Sequence, residues 1–269
     1  MTASPSLPPA PVRSPRERGG EIIAIASGKG GVGKTWLAIT LAHVWARAGL
    51  RTLLFDGDLG LANVDIQLGL TPEHDLSAVV AGRISLASAT TCYAAGGFDI
   101  LAGRSGSGSL SALSPEALEA LLSDLRIAAR RYEAIVLDLG AGLDRSVRRM
   151  ATFAHRLVVV VTDDPTSLTD AYAVLKLYAA DHPGGDARVV VNQAASRAAG
   201  ERTFATLERA SRTFLGRTPL LAGIIRRDEH VRDAIRRQSP LLLRHPIAAA
   251  AAEVEAIARE LLHPVVAGT

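Results

Sequence analysis

Two hydrophobic patterns alternate along most of the chain, and each predicts a different kind of element. Short runs in which nearly every residue is apolar are typical of strands buried on both faces of a parallel sheet. Apolar residues that recur every three or four positions are typical of helices that pack on such a sheet. The strand pattern occurs at residues 21–27, 51–55, 98–101, 134–138, 156–162, 187–192 and 220–225. The helical pattern occurs at residues 36–46, within 59–70, and at 75–82, 114–131, 167–182, 197–215, 228–238 and 247–262, and in a helix that ends at Ala154.

This alternation predicts an α/β fold, in which a mostly parallel, twisted sheet is covered by helices on both faces. We assign residues 21–262 to one domain. The preceding residues 1–20 contain five prolines and few large apolar side chains, which predicts a disordered tail, and residues 263–269 form a short C-terminal tail. Residues 105–109 are predicted to be a flexible loop inside the domain, because strands and helices resume directly after them.

A glycine-rich turn joins the first predicted strand to the first predicted helix. Residues 28–35 read GKGGVGKT and fit the phosphate-loop motif G-x-x-x-x-G-K-[ST] in the strand–turn–helix setting that the motif requires. Glycines allow several backbone N–H groups to point at one phosphate, Lys34 neutralises β/γ-phosphate charge, and the Thr35 hydroxyl can bind Mg²⁺. We therefore predict a single-domain P-loop NTPase. The predicted cofactor-binding residues of this segment are Gly28, Lys29, Gly30, Gly31, Val32, Gly33, Lys34, Thr35 and Trp36.

Acidic residues follow two other predicted strands, at the sheet edge where parallel α/β folds bind ligands. Asp138 closes the strand 134–138 and is the best-placed partner for Mg²⁺, the alternative being a solvated aspartate at a strand end. Asp56 and Asp58 flank a glycine after the strand 51–55. A carboxylate there can orient a water for attack on the γ-phosphate, or it can accept backbone N–H bonds in a turn. The sequence pattern alone favours neither the catalytic role nor the turn role.

Several segments resemble the MinD/ParA group of ATPases. Lys29, directly after the first glycine of the phosphate loop, matches the deviant motif K-G-G-V-G-K-T of that group. Residues 56–65, DGDLGLANVD, are similar to its switch I, and residues 138–142, DLGAG, to its switch II. Residues 164–176, DPTSLTDAYAVLK, closely resemble the flagellar-number regulators known as FlhG or FleN, a branch of the group, and residues 228–234 follow the same branch.

The resemblance implies roles for individual residues. Lys29 would reach across an ATP-bound dimer to the partner's phosphates and would act in catalysis together with Lys34. Asp58, the second aspartate of switch I, would be the catalytic carboxylate. Asn192 would read adenine, unless it is an ordinary turn asparagine, and Asp228 would lie at the nucleobase. The implied Mg²⁺ ligands are Thr35, Asp56 and Asp138.

The resemblance also implies a function. ATP or ADP with Mg²⁺ would be the cofactors, the ATP state would be a homodimer, and slow hydrolysis would reset it. The dimer would regulate flagellar number or placement through protein partners such as an FlhF-like GTPase or a FleQ-like transcription regulator. Two alternatives stay open: a DNA-partition or division-positioning ATPase that uses DNA or membrane as its track, and a nucleotide-binding interaction protein that barely hydrolyses ATP.

Some positions depart from the family pattern. Leu139 replaces the Ser or Thr that usually follows the switch II aspartate, and Arg226 stands where the family often has Pro. The N-terminal tail lacks the D-Q-A-x-x-L-R motif with which some of these proteins activate FlhF. The C-terminal helix carries more Glu than Arg, so we predict that it packs on the core rather than binding a membrane.

Composition narrows the location and the partners. One cysteine, Cys92, excludes a disulfide framework and any cysteine-ligated cluster within one chain, which indicates a reducing cytoplasm. No apolar run reaches the ~18 residues of a membrane-spanning helix, and no signal peptide is recognised at the N-terminus. We expect a cytoplasmic protein, with an additional contact at the inner face of the membrane left open. The net charge of +3 does not demand nucleic acid, and paired arginines such as Arg148–Arg149 are more typical of a solvated helix face than of a DNA-binding stripe.

Overall fold

The central sheet follows the apolar runs of the sequence. The computed structural model describes residues 19–103 and 113–262; most of the predicted N-terminal tail, the predicted loop 105–109 and the predicted C-terminal tail lie outside them. Within the described residues, eight strands form one sheet, and seven of them coincide with predicted strands. The strands are β1 (Glu21–Ser27), β2 (Thr52–Gly57), β3 (Thr91–Tyr93), β4 (Phe98–Leu101), β5 (Ala134–Ala141), β6 (Arg156–Val161), β7 (Asp186–Ala194) and β8 (Leu220–Arg226).

The strand order places β1 in the interior of the sheet. The order is β3-β4-β2-β5-β1-β6-β7-β8, and β1 pairs in parallel with β5 on one side and with β6 on the other. Neighbours are parallel throughout except for β3 and β4, which pair antiparallel at one edge. The predicted mostly parallel sheet is confirmed.

Helices connect the strands and cover both faces. Hydroxyl and carboxylate caps begin several of them, for example Ser114, whose Oγ accepts the Ala117 N–H at 3.2 Å. Asp144 caps the next long helix in the same way. The helices are α1 (Lys34–Arg47), α2 (Val64–Leu68), α3 (Leu76–Val80), α4 (Leu86–Ala89), α5 (Pro115–Ala128), α6 (Arg145–Phe153), α7 (Pro165–Asp181), α8 (Arg197–Leu215), α9 (Glu229–Arg236), α10 (Leu241–Arg244) and α11 (Ala249–Leu262).

Two hydrophobic layers explain why the strands are apolar at every position. Along β1, Ile22 and Ala24 face the layer that contains α5 to α8, whereas Ile23 and Ile25 face the layer that contains α1 and α11. Because side chains alternate along a strand, a strand covered on both faces cannot carry a polar side at its centre.

The C-terminal helix belongs to the core, as predicted. Ala251, Val254 and Leu261 of α11 are fully buried against β8 and α1. Its carbonyl groups receive side-chain donors from the sheet and from α1: Trp45 Nε1 donates to Ala258 O at 3.1 Å. Arg156 also donates to the carbonyl of Leu261.

Three short elements were not predicted: α4, the edge strand β3 and α10. Each has only three or four residues, which is too short to produce a recognisable hydrophobic period. Among the described residues, no helix has both the length and the apolar character needed to cross a bilayer.

Candidate nucleotide-binding site

The site lies where the parallel strands end. The turn between β1 and α1, residues 28–33, forms the predicted phosphate loop. Gly33 has a left-handed φ of 94°, and a Cβ placed on it would come within 2.4 Å of Asn192 Nδ2. A Cβ on Gly28 would lie 2.4 Å from the Cβ of Asp170 on α7. Glycine is required at both positions, because β7 and α7 pack directly against the loop.

Lys34 and Thr35 begin α1 and point toward the ends of β2 and β5. The Lys34 side chain is largely buried, and burial lowers its pKa, although the charges of Asp138 and Asp58 act in the opposite direction. The Thr35 hydroxyl lies near the Asp138 carboxyl group and offsets part of the rise in the pKa of that group. A cation, a hydroxyl and a carboxylate therefore meet beside the phosphate loop, as the sequence predicted.

Asp56 and Asp138 occupy paired positions on neighbouring strands. They lie opposite each other in the β2–β5 register, and both side chains are buried. Burial raises the pKa of Asp56 to about 7, although backbone hydrogen bonds offset part of that effect. Burial, together with the nearby Asp56 charge, raises the pKa of Asp138 to about 8. Ionising both of these buried carboxyl groups costs free energy unless a cation lies beside them.

The two carboxyl groups differ in their hydrogen bonds. Asp56 Oδ2 accepts the N–H groups of Asn63 and Val64, both at 3.1 Å, and Oδ1 accepts the Asp58 N–H at 3.3 Å. Asp56 therefore holds the loop that leads into α2. Asp138 Oδ1, in contrast, is buried and has no hydrogen-bond partner in the described part of the chain.

This free carboxylate oxygen makes the site suitable for Mg²⁺. Mg²⁺ prefers oxygen ligands and retains several waters or phosphate oxygens when it binds near one or two protein groups. Within residues 19–103 and 113–262, no group of three or more His, Cys, Asp or Glu side chains could hold a metal by itself. The residues present therefore fit an ion that is shared with nucleotide phosphates, with Asp138 and the Thr35 hydroxyl on the protein side.

Asp58 links the two predicted switch segments. Its Oδ1 accepts the Leu61 N–H at 2.9 Å, so it does close a turn. The same oxygen lies 3.2 Å from the position that a Cβ on Gly140 would occupy. Asp58 therefore forms a turn in switch I and also faces switch II and the Lys34 ammonium group. This position is compatible both with a turn aspartate and with a carboxylate that orients water.

Lys29 is paired within the same chain. Its Nζ lies 2.8 Å from Asp164 Oδ2 and donates to Thr166 Oγ1 at 2.6 Å. Asp164 also caps α7 by accepting the Thr166 N–H at 2.8 Å. The Lys29 hydrogen bond holds the pKa of Asp164 well below its usual range. The segment 164–176, singled out by its resemblance to the flagellar regulators, thus begins at the residue that holds Lys29.

Asn192 and Asp228 lie along a cavity on the other side of the phosphate loop. Asn192 Nδ2 donates to Val32 O at 2.8 Å. Asp228 caps α9 through the His230 N–H at 3.0 Å. The cavity has a volume of about 310 Å³ and is lined by Gly31, Gly33, Trp36, Asn192, Gln193, Ile225, Arg226, Arg227, Asp228, Val231, Arg232 and Ile235. Asn192 and Asp228 share this cavity with Trp36, and both polar side chains also contact the protein.

Two residues of this region were missed in the sequence. Gln193 has a left-handed φ of 57° and donates to Gly31 O at 3.4 Å. Arg227 lies between this cavity and a second one beside Lys29. A glutamine in a left-handed conformation belongs to no motif, so no sequence signal could have identified Gln193.

The departures from the family pattern have structural explanations. Leu139 is fully buried, and its side chain packs in the apolar core. Arg226 pairs with Glu253 of α11 through Nε and Oε1 at 2.5 Å, and its backbone N–H donates to the same carboxylate at 2.8 Å. Arg226 therefore fastens β8 to the C-terminal helix.

The fold and the site together define a P-loop nucleotide-binding protein. Residues 23–241 match the model of the CobQ/CobB/MinD/ParA nucleotide binding domain, and the chain belongs to that family. The chain is 37% identical over 241 residues to the antiactivator FleN of Pseudomonas aeruginosa, covering 90% of this chain and 86% of that protein. It is 33% identical to the flagellum site-determining protein YlxH of Helicobacter pylori, covering 58% of this chain and 53% of that protein.

Solved structures agree on the fold. The septum site-determining protein MinD of Pyrococcus horikoshii, complexed with Mg-ADP, superposes with a TM-score of 0.75 at 23% identity, covering 90% of this chain and 96% of that chain. The predicted family, the fold class and the assignment as a nucleotide-binding protein are confirmed. The roles of the individual site residues stay predictions.

Proposed function

We propose that this protein is an ATP-hydrolysing switch that dimerises around ATP and regulates flagellar number or placement. The observation that carries the proposal is the group at the sheet edge formed by the phosphate loop, Lys34 and Asp138. Its buried free carboxylate oxygen lies beside a lysine and a threonine that match the phosphate-loop motif. The similarity to FleN and YlxH supports the flagellar role.

Binding begins at the phosphate loop. Its N–H groups and the N-terminus of α1 attract the phosphates, and Lys34 neutralises their charge. Asp138 and the Thr35 hydroxyl would hold Mg²⁺, which when bound stabilises negative charge on the β- and γ-phosphates. The buried carboxyl groups of Asp56 and Asp138 are then compensated by opposite charge.

Hydrolysis depends on the link between the switches. Asp58, held by the Leu61 N–H and facing Gly140, orients the attacking water toward the γ-phosphate. Asp56 holds the same loop from its other side, through Asn63 and Val64. Loss of the γ-phosphate changes both switch segments together, which ends the ATP state.

Dimerisation depends on Lys29. Within one chain Lys29 is held by Asp164 and Thr166, so it must leave these partners to reach the phosphates of a second copy. The ion pair is partly exposed and screened by solvent, so ATP-driven association can separate Lys29 from Asp164.

The partners are flagellar proteins, for which an FlhF-like GTPase or a FleQ-like transcription regulator are our candidates. DNA is a weaker candidate, because Arg148 is paired with Asp181 at 2.6 Å and Arg149 with Glu119 at 2.5 Å. These arginines already have carboxylate partners and form no free basic stripe on α6. Membrane contact through α11 is disfavoured by the burial of its apolar face.

The test uses the three lysines of the chain. Lys34→Ala should weaken ATP binding about 100-fold, because it removes buried charge-assisted hydrogen bonds worth about 2.7 kcal/mol. Lys29→Ala should preserve ATP binding but abolish the ATP-induced dimer and its turnover. Lys176, exposed on α7, provides the matched control, and Lys176→Ala should change neither property. ATP titration and sedimentation with Mg-ATP measure both.

Each variant can contradict one part of the proposal. Unchanged ATP affinity in Lys34→Ala would refute the phosphate-loop assignment. An intact ATP-dimer with normal turnover in Lys29→Ala would leave Lys29 as a surface residue that only pairs with Asp164. Salt-dependent DNA binding by the parent protein would favour the partition alternative instead.

A further inference from the structure

Gln238 ends α9 in a conformation that side chains rarely adopt. Its φ is 50°, in the left-handed region that favours glycine at the end of a helix. The Ser239 N–H bonds to Ala234 O at 3.0 Å and the Gln238 N–H to Ile235 O at 3.0 Å, which completes a regular helix end. A glycine would form this end without strain, so the glutamine side chain must contribute something else.

The Gln238 side chain caps a different helix. Its Nε2 donates to Ile66 O at 2.8 Å, in the last turn of α2, and this carbonyl also accepts the Gly69 N–H at 3.3 Å. Gly69, which ends α2 with a φ of 63°, lies so close that a Cβ on it would be 3.2 Å from Gln238 Oε1. The end of α9 and the end of α2 therefore fit against each other.

The two helices have different surroundings. The helix α2 continues switch I, and its first turn is bonded to Asp56 through the Asn63 and Val64 N–H groups. The helix α9 lines the candidate nucleobase cavity through Val231 and Ile235. One side of α9 thus faces the cavity, and the residue after its C-terminal end holds the helix that continues switch I.

We propose that Gln238 is a positioning residue that couples the nucleobase cavity to switch I. The inference rests on the proposed function, because it takes the cavity to hold the base of ATP. A base that packs against α9 holds this helix in place, and Gln238 holds α2 and the Asp56–Asp58 loop in the arrangement that hydrolysis requires. The identity of the base should therefore affect kcat and not only binding.

The experiment compares ATP and GTP in the parent protein and in Gln238→Gly. The parent should hydrolyse ATP with a higher kcat than GTP. In Gln238→Gly, kcat for ATP should fall about fivefold toward the GTP value, while KM for ATP changes less than about twofold, a size typical of coupling between sites. Backbone amides 67–70 should exchange with solvent faster in the ATP-bound variant than in the ATP-bound parent.

Two further variants separate positioning from structure. Gln238→Gly removes the left-handed strain, so the variant should unfold at no lower temperature than the parent even though its kcat falls. Gln238→Lys places a donor near Ile66 O and should recover most of the lost kcat. Gln238→Glu matches the parent in length but cannot donate as a carboxylate, so it should behave like Gln238→Gly.

The outcomes are distinguishable from failure of the proposed function. If the parent binds and hydrolyses ATP but Gln238→Gly has the parent's kcat ratio and exchange rates, the coupling is refuted. Equal kcat for ATP and GTP in the parent would refute it as well. If the parent does not hydrolyse ATP at all, the proposed function fails, and the exchange of amides 67–70 in the ATP-bound proteins still decides the role of Gln238.

Discussion

At the scale of single residues, the site contains aspartates whose surroundings assign them different tasks. Asp138 has a free buried oxygen beside Thr35, which suits a metal. Asp56 uses its oxygens to hold the switch I backbone. Asp58 touches both switches and faces Lys34, which suits a group that acts on the γ-phosphate.

This division predicts different kinetics for two conservative substitutions. Asp58→Asn keeps an oxygen for the Leu61 N–H but loses the charge that orients water, so kcat should fall ~10²–10⁴-fold, or roughly 3–5 kcal/mol of barrier, while ATP affinity is preserved. The variant should accumulate as an ATP-dimer. Asp138→Asn should instead weaken Mg²⁺-dependent ATP binding, because a metal ligand acts in the ground state.

Turnover and dimer fraction, measured with and without Mg²⁺, check both substitutions. Asp65→Asn, in the same switch segment, is the matched control and should retain most of the parent's turnover. Hydrolysis at the parent rate by Asp58→Asn would mean that another group holds the water.

At the scale of elements, α1 connects the phosphate loop to the core and carries an unusual buried histidine. His43 packs on Phe98 of β4, with the ring centroids 6.2 Å apart, and its Nδ1 is buried without a hydrogen-bond partner in the described residues. Burial, assisted by the Arg47 charge, lowers the pKa of His43 to about 4. The imidazole is therefore neutral in the folded protein at neutral pH.

His43 should make the protein sensitive to acid. Between pH 6.5 and 4 the unfolded chain binds a proton at this position and the folded protein does not, so the free energy of unfolding falls with decreasing pH. The stabilisation is fully present above pH 6.5 and its loss should amount to about 3 kcal/mol by pH 4. Denaturant unfolding of the nucleotide-free protein from pH 7 to pH 4 measures this slope.

Substitution identifies the group responsible. His43→Asn cannot titrate in this range and should flatten the pH dependence, at some cost in stability at pH 7. His74→Asn removes an exposed imidazole as a control and should leave the slope in place. An equal slope in His43→Asn and in the parent would show that the loss of stability comes from other groups.

At the scale of the whole molecule, a buried ionic cluster closes the end of the sheet opposite the nucleotide site. Arg156 and Arg188 are almost completely buried and both bond to Asp186, with Arg156 Nε at 2.6 Å from Oδ2 and Arg188 Nε at 3.1 Å from Oδ1. Although burial opposes it, the two guanidinium groups lower the pKa of Asp186. Arg188 also donates to Glu260 O at 2.8 Å, so the cluster joins β6 and β7 to α11.

Asp186→Asn should destabilise the fold without touching the nucleotide site. It leaves two buried guanidinium groups without their shared carboxylate, which typically costs about 3–5 kcal/mol. Glu260→Gln is the control, because the Glu260 side chain is 55% exposed and its pairing with Arg188 should contribute less than about 1 kcal/mol. Unfolding in urea measures both, and a loss in Asp186→Asn no larger than in Glu260→Gln would contradict the role of the cluster.

Much of the molecule could be read from local sequence. The apolar runs predicted seven of the eight strands in the described residues, because a strand covered on both faces needs apolar side chains at every position. The phosphate loop was recognisable because its glycines, Lys34 and Thr35 lie within eight consecutive residues. Each of these residue types has a known part in binding phosphate or Mg²⁺. Asp138 could be placed because strand ends in a parallel sheet share one edge.

The tertiary structure decided what depends on residues far apart in sequence. Only the folded chain brings Lys29 to Asp164, Arg226 to Glu253, and Gln238 to the end of α2. It also shows that Asp58 both closes a turn and faces the second switch. A turn role and a role in orienting water, between which the sequence could not choose, are therefore compatible. Hydrophobic periodicity reports which side of an element is buried, but hydrogen bonds between distant elements depend on their relative positions, which packing alone determines.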